Sequence, residues 1–191
     1  KNETGDETAL RKLVRRILDA GAHGIVALGS AGEFAALRDE VKRQVLATVV
    51  DEVAGQVPVI AGTGEPGTRR AVQSTQSAAD IGADVALVVP PFYYRPDREA
   101  VLRHYRTLAA EGGLPVLLYN IPGLTKVDLS LDVVQELAGE PGIIGIKDSS
   151  ANLQAFARLC AEVRSEAFAV VTGSDGMLFA QLVAGGDGCI S

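Results

Sequence analysis

Apolar residues recur along the chain in short unbroken runs at 24–28, 57–61, 85–89, 115–119, 143–146, 169–171 and 188–190. Most are rich in Val, Ile and Leu. Runs without polar alternation predict strands buried on both faces, which means a parallel sheet covered by helices. Between them lie segments of helical period. Leu10, Leu13, Val14, Ile17 and Leu18 share one face, as do Val41, Val45 and Val49. Val101, Leu102, Tyr105 and Leu108 repeat the pattern, and so do Leu153, Phe156, Ala157 and Cys160. Each reads as an amphipathic helix with one stripe against a sheet. Gly21, Gly82 and Gly112 follow such segments where a left-handed residue is expected to end the helix.

Seven strands alternating with helices predict an α/β fold, a (β/α)8 TIM barrel. The alternative is a doubly wound open sheet. No G-x-G-x-x-G follows the first strand, which weakens a dinucleotide-binding version. A full barrel has eight strands and about 250 residues. The expectation is therefore a single partial barrel domain over residues 1–191, holding strands two to eight, with strand one and the C-terminal region absent.

The 191 residues suffice for one sizeable core. A formal net charge of -6 argues against nucleic acid or an anionic membrane as partner, since both require a basic surface. No apolar run approaches the roughly 20 residues of a membrane span. The two cysteines, Cys160 and Cys189, have no metal-type spacing, are expected in apolar surroundings as inert thiols, and fit a reducing, cytoplasmic location.

In a TIM barrel the chemistry sits at the C-terminal ends of the strands. Read in order, those ends carry Gly29-Ser30-Ala31-Gly32-Glu33, Gly62-Thr63-Gly64-Glu65, Pro91-Phe92-Tyr93-Tyr94, Tyr119-Asn120-Ile121-Pro122, Lys147-Asp148-Ser149 and Gly173-Ser174-Asp175. Lys147 closes an apolar run, so its side chain is expected at the barrel mouth. Lysine is rarely buried without a partner. Burial disfavours an ammonium, and a neutral amine can attack a ketone to form an imine. An ion pair with Asp148 or another carboxylate is the plainer alternative. Tyr119 ends the adjacent strand, and a phenol near an imine can move protons; an ordinary buried tyrosine is the alternative there. Ser30 lies on a glycine-flanked turn whose N–H groups could hold a carboxylate.

Together with Gly145-Ile146-Lys147-Asp148 and the closing stretch Gly185-Gly186-Asp187-Gly188-Cys189-Ile190-Ser191, these motifs resemble the dihydrodipicolinate synthase / N-acetylneuraminate lyase family, across essentially the whole chain. The resemblance implies a class I, pyruvate-dependent aldolase or lyase. It implies that Lys147 forms a Schiff base with the C2 carbonyl of pyruvate or a related 2-keto acid, with no further cofactor. Tyr119 is then the general acid/base, linked through Ser30 to Tyr93 of a neighbouring subunit. Backbone N–H groups of Ser30 and Ala31 hold the carboxylate, and Gly173 and Ile190 line the pocket. A homodimer or homotetramer follows, with a small 2-keto acid as partner.

Two departures bear on the substrate. The hydroxyl residue usual after Ser30 is here Ala31. Five residues after Tyr119, where true dihydrodipicolinate synthases carry an arginine, stands Leu124. Residues 119–127 look more like the sialic-acid lyase branch, yet Gly176 replaces that branch's acidic sugar-binding residue. The expectation is thus a 2-keto acid lyase or aldolase, with a 2-keto-3-deoxy sugar acid as a reasonable substrate. The alternatives are 4-hydroxy-tetrahydrodipicolinate synthase itself, which condenses pyruvate with aspartate semialdehyde in lysine biosynthesis, and a non-catalytic 2-keto acid sensor. His23 and His104 read as structural. No H-E-x-x-H or ligand cluster suggests a metal, and the Ser30 turn is not the G-x-S-x-G elbow of hydrolases.

Overall fold

The computed structural model describes residues 5–191. Seven strands, β1 (Ile25–Ala27), β2 (Val59–Gly62), β3 (Val85–Val88), β4 (Val116–Asn120), β5 (Ile143–Asp148), β6 (Ala169–Thr172) and β7 (Gly188–Cys189), form one sheet in chain order, every pairing parallel. A doubly wound sheet reverses its strand order part-way, so the sequential order removes that alternative. The curled sheet is that of a TIM-type βα barrel, and each expected run became a strand.

Helices α1 (Glu7–Asp19), α2 (Asp39–Val53), α3 (Thr68–Ile81), α4 (Arg98–Glu111), the short α5 (Pro122–Thr125), α6 (Leu131–Ala138), α7 (Leu153–Glu162) and α8 (Leu178–Val183) occupy the connections. Asp6, Asp97 and Asn152 start α1, α4 and α7 by accepting a backbone N–H with their side chains. Among the described residues none of these helices is long and apolar enough to cross a membrane.

The central strands β3 to β5 bury both faces almost throughout, as unbroken apolar runs require. Outward residues such as Ala86, Val88, Val116, Leu118, Ile146 and Val170 pack against α4, α6 and α7. A second outward cluster joins Ile25, Ala27, Val59 and Ala61 to Val14 of α1 and to Leu46, Val49 and Val53 of α2. Inward residues Leu87, Val89, Leu117 and Tyr119 form the barrel interior, with Phe92, Ile121 and Ile190 against it.

Several expectations need correction. The buried stripe of α2 is Leu46, Val49 and Val53; Val41 and Val45 are only half-buried, because that edge of the helix faces α1 near Leu10 rather than the sheet. Leu13 is 52% exposed and Leu153 is 38% exposed, so neither shares its helix's buried stripe. Gly21 and Gly82 adopt positive φ, but Gly112 is right-handed with φ -75° and Gly113 takes the left-handed turn at φ 80°. Cys160 is half-buried, but Cys189 is exposed, since it lies on edge strand β7 with no strand beyond it among the described residues.

Burial also selects the state of His104. Its ring is fully enclosed on α4, Nδ1 bonds the Thr68 hydroxyl at 2.9 Å, and the Val89 backbone lies against the ring. Desolvation lowers its pKa from 6.5 to about 4, so the folded protein holds a neutral imidazole. Because the folded value lies below the unfolded one, this stability is fully present above pH 6.5 and is lost as pH falls toward 4. A group displaced this far is worth about 3 kcal/mol across that window. Urea unfolding of the whole protein at stepped pH should show this decline, and His104→Gln should flatten it.

Candidate functional site

The strand ends gather at one rim of the barrel, and a single irregularity decides what meets there. Between β4 and β5 the register begins Val116↔Ile143 and continues Leu117↔Gly145, so β5 carries one extra residue. A one-residue shift moves every later side chain to the other face. It sets Tyr119 opposite Lys147 and Asn120 opposite Asp148. Paired residues of parallel strands point to the same side. Tyr119 and Lys147 therefore both turn into the barrel, while Asn120 and Asp148 turn out.

Lys147 is 8% exposed and Tyr119 is 5% exposed. The lysine Nζ stands 4.4 Å from the centre of the tyrosine ring, within cation–π range. Among the described residues no carboxylate lies within ion-pair distance of Lys147. The expected alternative, a pair with Asp148, is ruled out because that carboxylate is engaged on the other face. Its Oδ1 accepts from Asn120 Nδ2 at 2.8 Å and its Oδ2 from the Ser150 hydroxyl at 2.8 Å. Asn120 Nδ2 also donates to Asp128 at 2.9 Å, and its Oδ1 accepts the Leu129 N–H at 3.1 Å. Burial pushes the Asp148 pKa up, against these donors. The network fastens the ends of β4 and β5 and the approach to α6 from outside.

Gly173 follows β6 and leaves room beside the lysine. A Cβ there would lie 2.5 Å from Lys147 Cε and 2.1 Å from Ser149 Oγ. Ile190 packs into the same interior cluster as Tyr119. Lys147, Tyr119, Gly173 and Ile190 are thus brought together.

Ser30 and Ala31 reach the rim through a sharp break. Leu28 adopts φ 59°, which ends β1 at Ala27 and throws the next residues across the mouth. Gly32 N–H bonds Gly29 O and Glu33 N–H bonds Ser30 O, whereas the N–H groups of Ser30 and Ala31 have no acceptor among the described residues. Ser30 lines a cavity of about 350 Å³ walled by Phe34, Val89, Phe92, Ile121 and Leu124. That cavity borders the barrel interior but does not include Lys147. Tyr93 is not in this cluster. Its φ is 80°, it is 85% exposed, and its ring meets that of Tyr94 edge-on, at 4.9 Å.

The roles of Asn120 and Asp148 went unassigned from sequence, although both stood in quoted motifs. The usable signal was alternation: each follows a residue expected to face inward. Among the described residues no group of His, Cys, Asp or Glu is arranged to hold a metal ion. Asn120→Leu should cost about 2–4 kcal/mol in a denaturant titration, because it strips a buried carboxylate of a donor.

The chain matches the dihydrodipicolinate synthetase family over residues 1–191. It is 43% identical over 186 residues to a 4-hydroxy-tetrahydrodipicolinate synthase of Methanoculleus marisnigri, covering 97% of this chain and 64% of that protein. A synthase of the same name from Stenotrophomonas maltophilia is 44% identical, with 97% and 62% covered. Among solved structures, the chloride-inhibited dihydrodipicolinate synthase of Acinetobacter baumannii complexed with pyruvate aligns with a TM-score of 0.94 at 39% identity, covering 97% of this chain and 64% of that one. YagE, a prophage protein of the same family from E. coli K12 in complex with pyruvate, gives 0.95 at 34% identity, with 98% and 64% covered. The chain spans less than two thirds of the length of these relatives.

Proposed function

The chain belongs to the dihydrodipicolinate synthetase family, and from that premise we propose that the whole protein is a Schiff-base-forming, pyruvate-dependent carbon–carbon lyase or aldolase. The observation that carries the reading is Lys147: a buried amine with no carboxylate partner among the described residues, held against the Tyr119 ring at the rim of a parallel barrel.

In the proposed mechanism Lys147 Nζ adds to C2 of pyruvate, and the C2 oxygen departs as water. The resulting iminium draws electrons from C3, so loss of a C3 proton leaves an enamine rather than a bare carbanion. The enamine carbon bonds to an aldehyde, whose oxygen takes a proton. Run backwards, the same steps cleave a 2-keto acid. Tyr119 serves as general acid/base. The free N–H groups of Ser30 and Ala31 hold the pyruvate carboxylate, and Gly173 and Ile190 bound the pocket. No separate cofactor takes part.

Tyr93 completes the relay from a second copy. Its exposed, left-handed conformation suits a residue offered to a partner, and the apolar cavity edged by Ser30 is a fitting receptor for a phenol ring. A homodimer or a dimer of dimers follows. A cytoplasmic location fits this role.

Between the two chemistries, the relatives' names favour 4-hydroxy-tetrahydrodipicolinate synthase, which joins pyruvate to aspartate semialdehyde. One observation favours the second reading, cleavage of a 2-keto-3-deoxy sugar acid: Leu124 presents an apolar wall to the cavity where an anionic second substrate gains from a cation. A condensation assay with pyruvate and aspartate semialdehyde, run beside a retro-aldol screen with pyruvate release as readout, decides between them. Turnover in the first supports the synthase; turnover only in the second supports the lyase.

Borohydride reduction with pyruvate should add a covalent mass to the peptide carrying Lys147, and Lys147→Ala should abolish both adduct and turnover. Unmodified Lys147 in a saturated sample contradicts the mechanism. Tyr119→Phe should slow turnover about 10²–10⁴-fold, the range for a lost acid/base, while leaving the fold intact by circular dichroism. A near-normal rate removes Tyr119 from its role.

A further inference from the structure

Ser149 follows the last residue of β5 and, by strand alternation, faces the same side as Lys147. Its N–H donates to the Asn120 carbonyl at 2.8 Å, which fixes the backbone. Its hydroxyl oxygen is buried and has no hydrogen-bond partner among the described residues. Ser150, the next residue, bonds Asp148, so the orphan is not a general feature of this turn. Buried hydroxyls are nearly always paired, and an unpaired one is costly unless a ligand completes it.

The place of that hydroxyl says which ligand. The point where a Gly173 side chain would begin lies 2.1 Å from Ser149 Oγ and 2.5 Å from Lys147 Cε. The hydroxyl and the end of the lysine therefore both pack against the Gly173 backbone and are neighbours there.

We propose that Ser149 is a further catalytic residue of the imine chemistry, its hydroxyl hydrogen-bonding the C2 oxygen of the 2-keto acid as Lys147 adds to it. The inference rests on the reading of Lys147 as the Schiff-base residue. The Lys147 lone pair forms the N–C2 bond, the carbonyl π pair moves to oxygen, and a proton passes from nitrogen to that oxygen, giving a carbinolamine. The nitrogen lone pair then expels the oxygen, which takes a further proton from Tyr119 and leaves as water. Ser149 donates to the oxygen while negative charge gathers on it, and so steadies the addition and orients the leaving group.

The test is rapid-quench borohydride trapping on the whole protein mixed with pyruvate, following the rate at which the Lys147 peptide gains mass. Ser149→Ala should slow adduct formation about tenfold, the cost of one lost hydrogen bond. Ser149→Thr, which keeps a hydroxyl, should recover most of the rate. Thermal melts of both variants accompany the kinetics. Wild-type trapping with Ser149→Ala equally fast overturns the role of Ser149 and leaves that of Lys147 standing. Alanine and threonine variants equally slow, with unchanged melts, also overturn it, because the hydroxyl is then not the cause. No adduct in the wild type removes both the inference and the reading beneath it.

Discussion

The structure depends on one extra residue in β5. The register slip between Val116↔Ile143 and Leu117↔Gly145 turns Lys147 inward beside Tyr119 and sends Asp148 outward to Asn120. Had the strands stayed in step, Tyr119 would face Ile146 across the ladder, and the lysine would join the helix-facing layer. The slip separates an amine from the carboxylate next to it in sequence, which leaves that amine in the barrel interior without a counter-ion among the described residues.

The rest of the rim can be understood as support for that placement. The Asn120 network braces β4 and β5 from the helix side, away from Lys147 and Tyr119. Leu28 and Tyr93 both hold positive φ, the costly backbone state that persists where surrounding structure demands it. One swings the Ser30 turn over the mouth; the other projects a ring away from it. Gly173 supplies the space into which Lys147 and Ser149 converge.

Much of this was legible in the amino-acid sequence. Short unbroken apolar runs, most of them rich in Val, Ile and Leu, marked all seven strands, because burial of the central strands on both faces leaves no polar alternation. Lys147 and Tyr119 stood out because each closes such a run with a functional group. What stayed hidden was set by contacts rather than by local pattern. The slip in β5 leaves no mark in residues 143–146, whose apolar run suits either register. The shift of the α2 stripe reflects a second neighbour, α1, that periodicity cannot name. Gly112 and Gly113 are adjacent glycines, and only the geometry of the α4 end decides which becomes left-handed. The close approach of Ser149 and Lys147 to the Gly173 backbone is set by a residue distant along the chain.

The most direct measurement is a crystal structure of the whole protein grown in pyruvate. The account predicts continuous density from Lys147 Nζ to C2 of the ligand, with the carboxylate on the Ser30 and Ala31 N–H groups and the Tyr119 ring alongside. Pyruvate lying free in the barrel, or bonded elsewhere while Lys147 stays unmodified, would contradict it.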